Sequence, residues 1–344
     1  MKGLGVDMAK VSILGAGAWG TAIAILLGNN GHEVTLWSAL KSEVDLLQTQ
    51  RELTDKLPGI KLPELVTISG DLKSSCEDMD LIVFAVASPY VRSTARIAKE
   101  YIRENQIVVN VGKGIEETTL DTLTDILKEE LNHADVAVLS GPSHAEEVSR
   151  GIPTTCVVGA ETKASAHFIQ DVFMSERFRV YTSPDVIGIE LGGSIKNVIA
   201  LAAGIADGLG FGDNTKAALM TRGIAEISRL GVAMGGKLET FAGLSGVGDL
   251  IVTCTSKHSR NRNAGFLIGQ GYSMEAAMKE VNQVVEGVYS AKAALALAKK
   301  FNVEMPIVEQ VNQILFENKP ADEAVSDLLL RDKRREYSEL TWEK

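Results

Sequence analysis

The chain is poor in cysteine, in proline and in positive charge, and each shortage removes a class of protein. Its three cysteines, Cys76, Cys156 and Cys254, form neither an even set nor a Cys-x-x-Cys pair. A disulfide framework and a zinc site are therefore excluded, and a reducing, cytoplasmic compartment is expected. The five histidines, His32, His133, His144, His167 and His258, show no metal-ligand spacing, and no metal is assigned. Eight prolines in 344 residues, with 45% hydrophobic and 23% charged residues, describe a globular chain and not a disordered or collagen-like one. With 35 basic against 45 acidic residues the net charge is −10. The overall field repels nucleic acids and anionic membrane surfaces, so any bound anion must be held by local cations.

Long apolar runs are scarce too. Residues 1–10 lack the basic start and continuous apolar core of a signal peptide. Residues 11–28 are uncharged and nearly long enough to span a bilayer, but Gly15, Gly17, Gly20 and Gly28 punctuate them in a strand-turn-helix pattern. That segment is expected to be buried, without membrane insertion. No internal repeat or low-complexity tract is present, which sets solenoids and propellers aside.

What is present is an alternation. Strand-type runs at 11–14, 33–37, 66–68, 81–85, 107–110, 136–140, 154–158 and 178–181 are separated by helical stretches, the pattern of a parallel sheet covered on both faces. After Ser183-Pro184-Asp185, read as a Ser N-cap with Pro at the first helical position, strand runs nearly vanish. Helices are predicted at 185–207, 214–234, 261–269, 274–281, 286–300 and 305–317. The expected fold is α/β: a Rossmann-like dinucleotide-binding sheet over residues 1–184, then an all-α substrate domain over 185–344. The tail Arg331-Asp332-Lys333-Arg334-Arg335-Glu336 mixes signs and reads as a solvated helix end.

Gly15-Ala16-Gly17-Ala18-Trp19-Gly20 matches G-x-G-x-x-G between an apolar strand and an apolar helix. Gly15 permits the tight turn, Gly17 removes the side chain where a pyrophosphate approaches, and Gly20 lets helix and strand pack closely. The helix N-terminus then binds the anion. A ligand-free glycine turn is the alternative. An acid at the end of the second strand would hydrogen-bond the adenosine ribose and exclude a 2′-phosphate. Here Trp37-Ser38-Ala39-Leu40-Lys41 shows none, and Ser38 with Lys41 could tolerate a phosphate. NADP is allowed and NAD is not excluded.

Lys196 and Asn197 interrupt the otherwise apolar helix from Glu190 to Ala200, a costly placement unless they face something. Helical side chains lean toward the N-terminus, so Lys196 lies over Gly192 and Gly193, where a gap for a small ligand is expected. Desolvated there, a lysine has a lowered pKa and can give a proton to a developing alkoxide. A lysine snorkelling to solvent is the alternative. Asp249, among small and apolar residues, is the candidate partner of Lys196, or else a turn aspartate capping the next helix. Residues 253–263 gather Thr255, Ser256, Ser259, Arg260, Asn261 and Arg262 ahead of a helix, a set suited to a phosphate or simply a polar loop.

In the first half, Asn110-Val111-Gly112-Lys113-Gly114 and Ser140-Gly141-Pro142-Ser143-His144-Ala145 both follow strands, at the sheet edge where open α/β folds bind ligands. The second segment approximates the G-x-S-x-G elbow of serine hydrolases, with Ala145 in the last place. That reading leaves the glycine fingerprint and Lys196 unexplained. Ser143 as a helix N-cap is the simpler alternative.

Taken in order with Gly210-Phe211-Gly212-Asp213-Asn214-Thr215 and Ser259-Arg260-Asn261-Arg262, these segments closely resemble the NAD(P)-dependent glycerol-3-phosphate dehydrogenases of the soluble bacterial type, from about residue 11 to 330. The resemblance implies reversible reduction of dihydroxyacetone phosphate to sn-glycerol 3-phosphate, the precursor of the glycerophospholipid backbone, in a homodimer. It implies Lys196 as catalytic acid and base. It implies a substrate site of Lys113, Gly141, Ser143, Lys196, Asp249, Ser259, Arg260 and Asn261. Ala18, Trp19, Lys113, Ala145, Arg260, Val284 and Glu286 would join the glycines around the dinucleotide. The family's usual basic or imidazole side chain after the second strand is replaced by Ser38-Ala39-Leu40, which leaves NAD against NADP open. Another two-domain reductase, or a non-catalytic dinucleotide sensor, are the rival readings.

Overall fold

The computed structural model describes residues 8–333 together with Arg335, Glu336 and Trp342. The first seven positions considered for a signal peptide, and Arg334 of the mixed-charge tail, lie outside the described residues. Eight strands form one sheet: β1 (Lys10–Leu14), β2 (Glu33–Trp37), β3 (Val66–Ser69), β4 (Leu81–Phe84), β5 (Ile107–Asn110), β6 (Asp135–Ser140), β7 (Thr154–Gly159) and β8 (Phe178–Ser183). Their spatial order is β3-β2-β1-β4-β5-β6-β7-β8. Every neighbouring pair is parallel except β6 and β7, so the sheet is mixed where a parallel one was expected. In β4, Leu81 and Val83 join the core on one face while Ile82 and Phe84 join the core on the other. A strand buried on both faces needs such a continuous apolar run.

The chain order reverses between β1 and β4, and the glycine turn lies there. Gly15 donates its N–H to Trp37 O at 2.9 Å. It adopts φ +116, and a Cβ on it would stand 2.8 Å from the Ala85 backbone. The helix that follows, α1 (Ala18–Asn29), buries nine consecutive residues from Gly20 to Gly28 against the sheet.

Beyond β8 the described chain is helical. The central rod is α2 (Val186–Gly208), surrounded by α3 (Asp213–Ala233), α4 (Asp249–Thr255), α5 (Arg260–Gly269) and α6 (Glu286–Lys300). Among the described residues only α2 is long and apolar enough to cross a membrane, and 89% of its apolar window is buried inside the protein. The expected Ser-Pro start is corrected. Ser183 still belongs to β8, and Asp185 caps α2 by accepting Gly188 N–H at 3.0 Å and Lys237 N–H at 2.8 Å. One carboxylate thereby satisfies orphan donors of two segments, which Ser183 is too far back to reach.

One contact fixes α2 against the sheet half and another fixes it against its helical neighbour. The buried Glu190 carboxylate accepts Thr124 N–H at 2.9 Å, and also the Thr124 hydroxyl, at the start of the helix Leu123–Glu130. Burial pushes Glu190 up to about 7 against those hydrogen bonds. Next, α2 and α5 cross almost backbone to backbone, since a Cβ on Gly204 would lie 2.0 Å from Arg262 O and one on Gly265 2.2 Å from Leu201 O. This close crossing sets Arg260 and Asn261 beside the middle of α2.

Candidate active site

Three segments converge on one buried carboxylate. Asp249 accepts Lys196 Nζ on Oδ1 at 2.8 Å and Lys113 Nζ on Oδ2 at 2.6 Å. Lys196 comes from α2, Lys113 from the loop after β5, and Asp249 opens α4, so the centre joins the sheet half to the helical half. Lys196 is 5% exposed and Asp249 1%. The alternative of a lysine snorkelling to solvent is therefore rejected, and the expected Lys196–Asp249 pair is found. Asp249 caps nothing with its side chain. It follows a π-helical turn, Leu244–Gly248, that was not foreseen and that aims α4 at the lysines.

The gap expected over Gly192 and Gly193 is filled by protein. A Cβ on Gly192 would lie 2.7 Å from Ser245 O, and one on Gly193 would lie 2.7 Å from Ser140 Oγ and 3.6 Å from Lys113 Cγ. Gly192 makes room for the backbone at Ser245, and Gly193 for Ser140 and the stem of Lys113. Its loop is held by reciprocal bonds between Asn110 and Gly112 at 3.0 and 3.1 Å and by Ser194 Oγ donating to Gly114 O at 3.1 Å. Lys113 Nζ also donates to Gly141 O at 3.0 Å, which brings the β6 turn into the same centre.

Electrostatically the centre is two cations about one anion. Burial lowers Lys196 to about 8, with Asp249 opposing that shift and Lys113 adding to it. Burial alone would raise Asp249, but the two lysines outweigh it and hold the carboxyl below its usual range. Thr253 was missed as a site residue. Its Oγ1 accepts Lys196 Nζ at 2.5 Å and donates to Asp249 O at 2.7 Å. Its sequence signal is the i+4 spacing from Asp249, readable only once α4 is known to be a helix. An ammonium has three donors, so Lys196 keeps one for a ligand.

Asn261 donates to Asn197 Oδ1 at 2.9 Å and accepts Gly287 N–H at 2.8 Å, tying α2, α5 and α6 together. Ser259 caps α5 by accepting Arg262 N–H at 3.2 Å, while Arg260 is exposed at the first position of that helix. Ser143 is not the N-cap of the short helix Ala145–Val148; His144 stands there, and Ser143 Oγ donates back to Gly141 O at 2.9 Å. Glu286 accepts Ser88 N–H at 3.2 Å and Ser88 Oγ–H at 2.5 Å. Burial raises Glu286, opposed by Ser88 and by the nearby charge of Arg260. Val284 lies half-buried in the coil ahead of α6.

At the glycine turn a Cβ on Gly17 would meet nothing within 4 Å, whereas one on Gly20 would lie 1.9 Å from Gly15 O. Helix α1 starts without a side-chain cap and without an acid in its first turn. Open space above uncompensated N–H groups fits a pyrophosphate. Ala145 begins a helix packed on α1. Trp19 Nε1 donates to Val111 O at 3.2 Å, two residues before Lys113. The dinucleotide cradle thus abuts the lysine centre. At the end of β2, Ser38 and Lys41 both have carboxylate partners in the helix that follows. Ser38 Oγ donates to Glu43 Oε2 at 2.7 Å, and Lys41 pairs with Asp45 at 2.8 Å.

A doubly wound sheet with a glycine cradle, joined to a helical half through two lysines on one buried aspartate, defines a nicotinamide-dinucleotide-dependent oxidoreductase. Comparison with known proteins makes the family specific. Residues 10–166 match the family model for the NAD-dependent glycerol-3-phosphate dehydrogenase N-terminus, and residues 185–326 match the one for its C-terminus. The chain belongs to this family. It is 61% identical over 335 residues to a glycerol-3-phosphate dehydrogenase [NAD(P)+] of Agathobacter rectalis, covering 97% of this chain and 100% of that one. A Fusobacterium nucleatum protein of the same name is 60% identical, covering 96% and 99%. The crystal structure of glycerol-3-phosphate dehydrogenase from Coxiella burnetii is similar with a TM-score of 0.91 at 38% identity, covering 94% of this chain and 99% of that one.

Proposed function

We propose that this chain interconverts dihydroxyacetone phosphate and sn-glycerol 3-phosphate, with Lys196 as the acid and base. The observation that carries the residue roles is Asp249, which bridges Lys113 and Lys196 at 2.6 and 2.8 Å from opposite halves of the molecule. A nicotinamide dinucleotide held at the glycine turn would supply the hydride chemistry at the substrate's central carbon. Lys196 gives its one uncommitted proton to the ketone oxygen as that oxygen gains charge, and takes the hydroxyl proton back in the oxidative direction. Asp249 and Thr253 hold the Lys196 ammonium in place by its other two donors. Lys113 adds a second positive charge on Asp249, which stabilises the oxyanion.

Arg260, Asn261 and Ser259, at the start of α5, anchor the phosphate, and Gly141 and Ser143 complete the substrate site beside Lys113. Gly15, Gly17, Ala18, Trp19, Gly20, Ala145, Val284 and Glu286 line the dinucleotide. Residues 1–184 form the nucleotide unit and 185–344 the substrate unit. We place the reaction in the cytoplasm, in a homodimer, as a source of glycerophospholipid backbone. The three free, buried cysteines support the reducing compartment, and family membership supports the rest. The test is loss of reduced-nicotinamide absorbance on adding dihydroxyacetone phosphate to NADH or NADPH. Oxidation that vanishes in Lys196→Ala is expected. Oxidation with other keto substrates alone would assign the chain to a different reductase, and cofactor binding without any turnover would make it a sensor.

A further inference from the structure

The segment after β2 contains an acid that strand-end reasoning overlooks. Because Gly15 N–H bonds to Trp37 O at 2.9 Å, Ser38 is the first residue beyond β2 and stands beside the phosphate-binding turn. In dinucleotide folds the adenosine ribose is read at this point. Ser38 is 4% exposed; its hydroxyl accepts Leu40 N–H at 3.1 Å and donates to Glu43 Oε2 at 2.7 Å. Glu43 lies in the first turn of the next helix, Lys41–Gln50, and its carboxylate is folded back toward the strand end. Its second oxygen accepts Lys56 Nζ at 2.9 Å, with the Glu43 side chain 17% and that of Lys56 30% exposed.

The charge count at this corner decides its preference. Lys56 is paired with Glu43 at 2.9 Å, and Lys41 lies at the surface beside Asp45 at 2.8 Å. A 2′-phosphate at this corner would bring its negative charge against the Glu43 carboxylate and would have to compete with it for Lys56. A carboxylate has about four lone-pair sites, so after Ser38 and Lys56 it can still accept a ribose hydroxyl. We infer that Glu43, presented by Ser38 and held by Lys56, is the acid that selects the unphosphorylated dinucleotide, NAD(H), over NADP(H). The inference rests on the dinucleotide reading of the glycine turn.

The test separates the two by measuring binding of ADP-ribose and of its 2′-phosphorylated form by calorimetry, without turnover. The wild-type protein should bind ADP-ribose at least ~10-fold more tightly, since juxtaposed like charges are strongly disfavoured. In Glu43→Gln the freed Lys56 should shift the ratio at least ~10-fold toward the phosphorylated ligand, and adding Lys56→Met should abolish that gain. The ratio of kcat/KM for NADH and NADPH should move the same way. Equal wild-type affinities, or a Glu43→Gln protein that loses both ligands alike, would overturn the assignment while leaving the dinucleotide site intact. Wild-type protein that binds neither fragment would overturn the dinucleotide reading itself, and this inference with it. Should Glu43→Gln fail to fold, Lys56→Met alone, which leaves the Glu43 charge unpaired, should move the ratio further toward ADP-ribose, and an unchanged ratio would overturn the assignment.

Discussion

The glycine turn and the lysine–aspartate centre lie side by side and are built on opposite principles. At the turn the working feature is missing side chains: φ +116 at Gly15, open space over Gly17, and Gly20 pressed on the Gly15 carbonyl. At the centre the working feature is charge on side chains from three distant segments, with Lys113 and Asp249 separated by 136 positions. A site made of backbone is contiguous in sequence, and sterics limit what it tolerates. A site made of buried charge is scattered, and what limits it is the cost of leaving one ion unpaired.

The largest effect should come from the centre. Lys196→Ala is expected to lower kcat by ~10²- to 10⁴-fold, the usual worth of a positioned acid or base, with NADH affinity by fluorescence titration unchanged. Loss of NADH binding as well would erase the distinction between the two regions. Asp249→Asn leaves two ammonium groups facing each other in a buried site, and a loss of about 3–5 kcal/mol in urea-unfolding stability is expected. It also removes the charge that holds Lys196 up against burial. With Lys196 at about 8, the reductive rate, which needs the ammonium, should fall as pH rises through that value. The oxidative rate, which needs the free amine, should rise there. In Asp249→Asn both limbs should move to lower pH; limbs that stay in place would mean that Asp249 does not tune Lys196.

Arg260→Ala comes next. Removing a charge-assisted phosphate contact should cost about 1.5–3 kcal/mol in kcat/KM. Part of that loss should appear in kcat, because the phosphate holds the carbonyl in place for reaction. A turnover number that stays put while only KM climbs would confine the side-chain-built site to the two lysines and Asp249.

The same contrast explains what could be read from the sequence. All eight strands lie within two residues of the runs picked out by β-branched and apolar composition, because buried strands must be nearly continuous in such residues. The G-x-G-x-x-G segment was readable for the same reason: its function is local. Direction was not, and composition alone could not show that β7 runs antiparallel to β6. The region 238–255 escaped because two short helices and a π-turn break the 3.6-residue period. With α4 hidden, Thr253 had no reason to be grouped with Asp249. Lys196 was legible as a charge in an apolar helix, but Lys113 as the second cation on Asp249 was not. Glu43 was passed over because an acid was sought at the strand end, and a side chain reaching back from the next helix leaves no mark there.

Two substitutions inside the glycine fingerprint sharpen the comparison with the smallest effects. A methyl on Gly20 would have to displace the Gly15 carbonyl, 1.9 Å away, so Gly20→Ala should lower stability by about 1–3 kcal/mol, the range for overpacked sites. Gly17 is an N-cap with φ −65 and ψ 177, a conformation alanine also adopts, and its Cβ would meet no protein atom. Gly17→Ala should therefore cost less than about 1 kcal/mol in stability, chiefly as a poorer N-cap. It should nonetheless raise the KM for NADH roughly tenfold, because the methyl occupies the space where the pyrophosphate approaches the backbone. Thermal melts and cofactor titrations on the pair would show stability and binding separating within one six-residue motif. Equal losses of both in the two variants would mean that the open space over Gly17 is not where the dinucleotide lies.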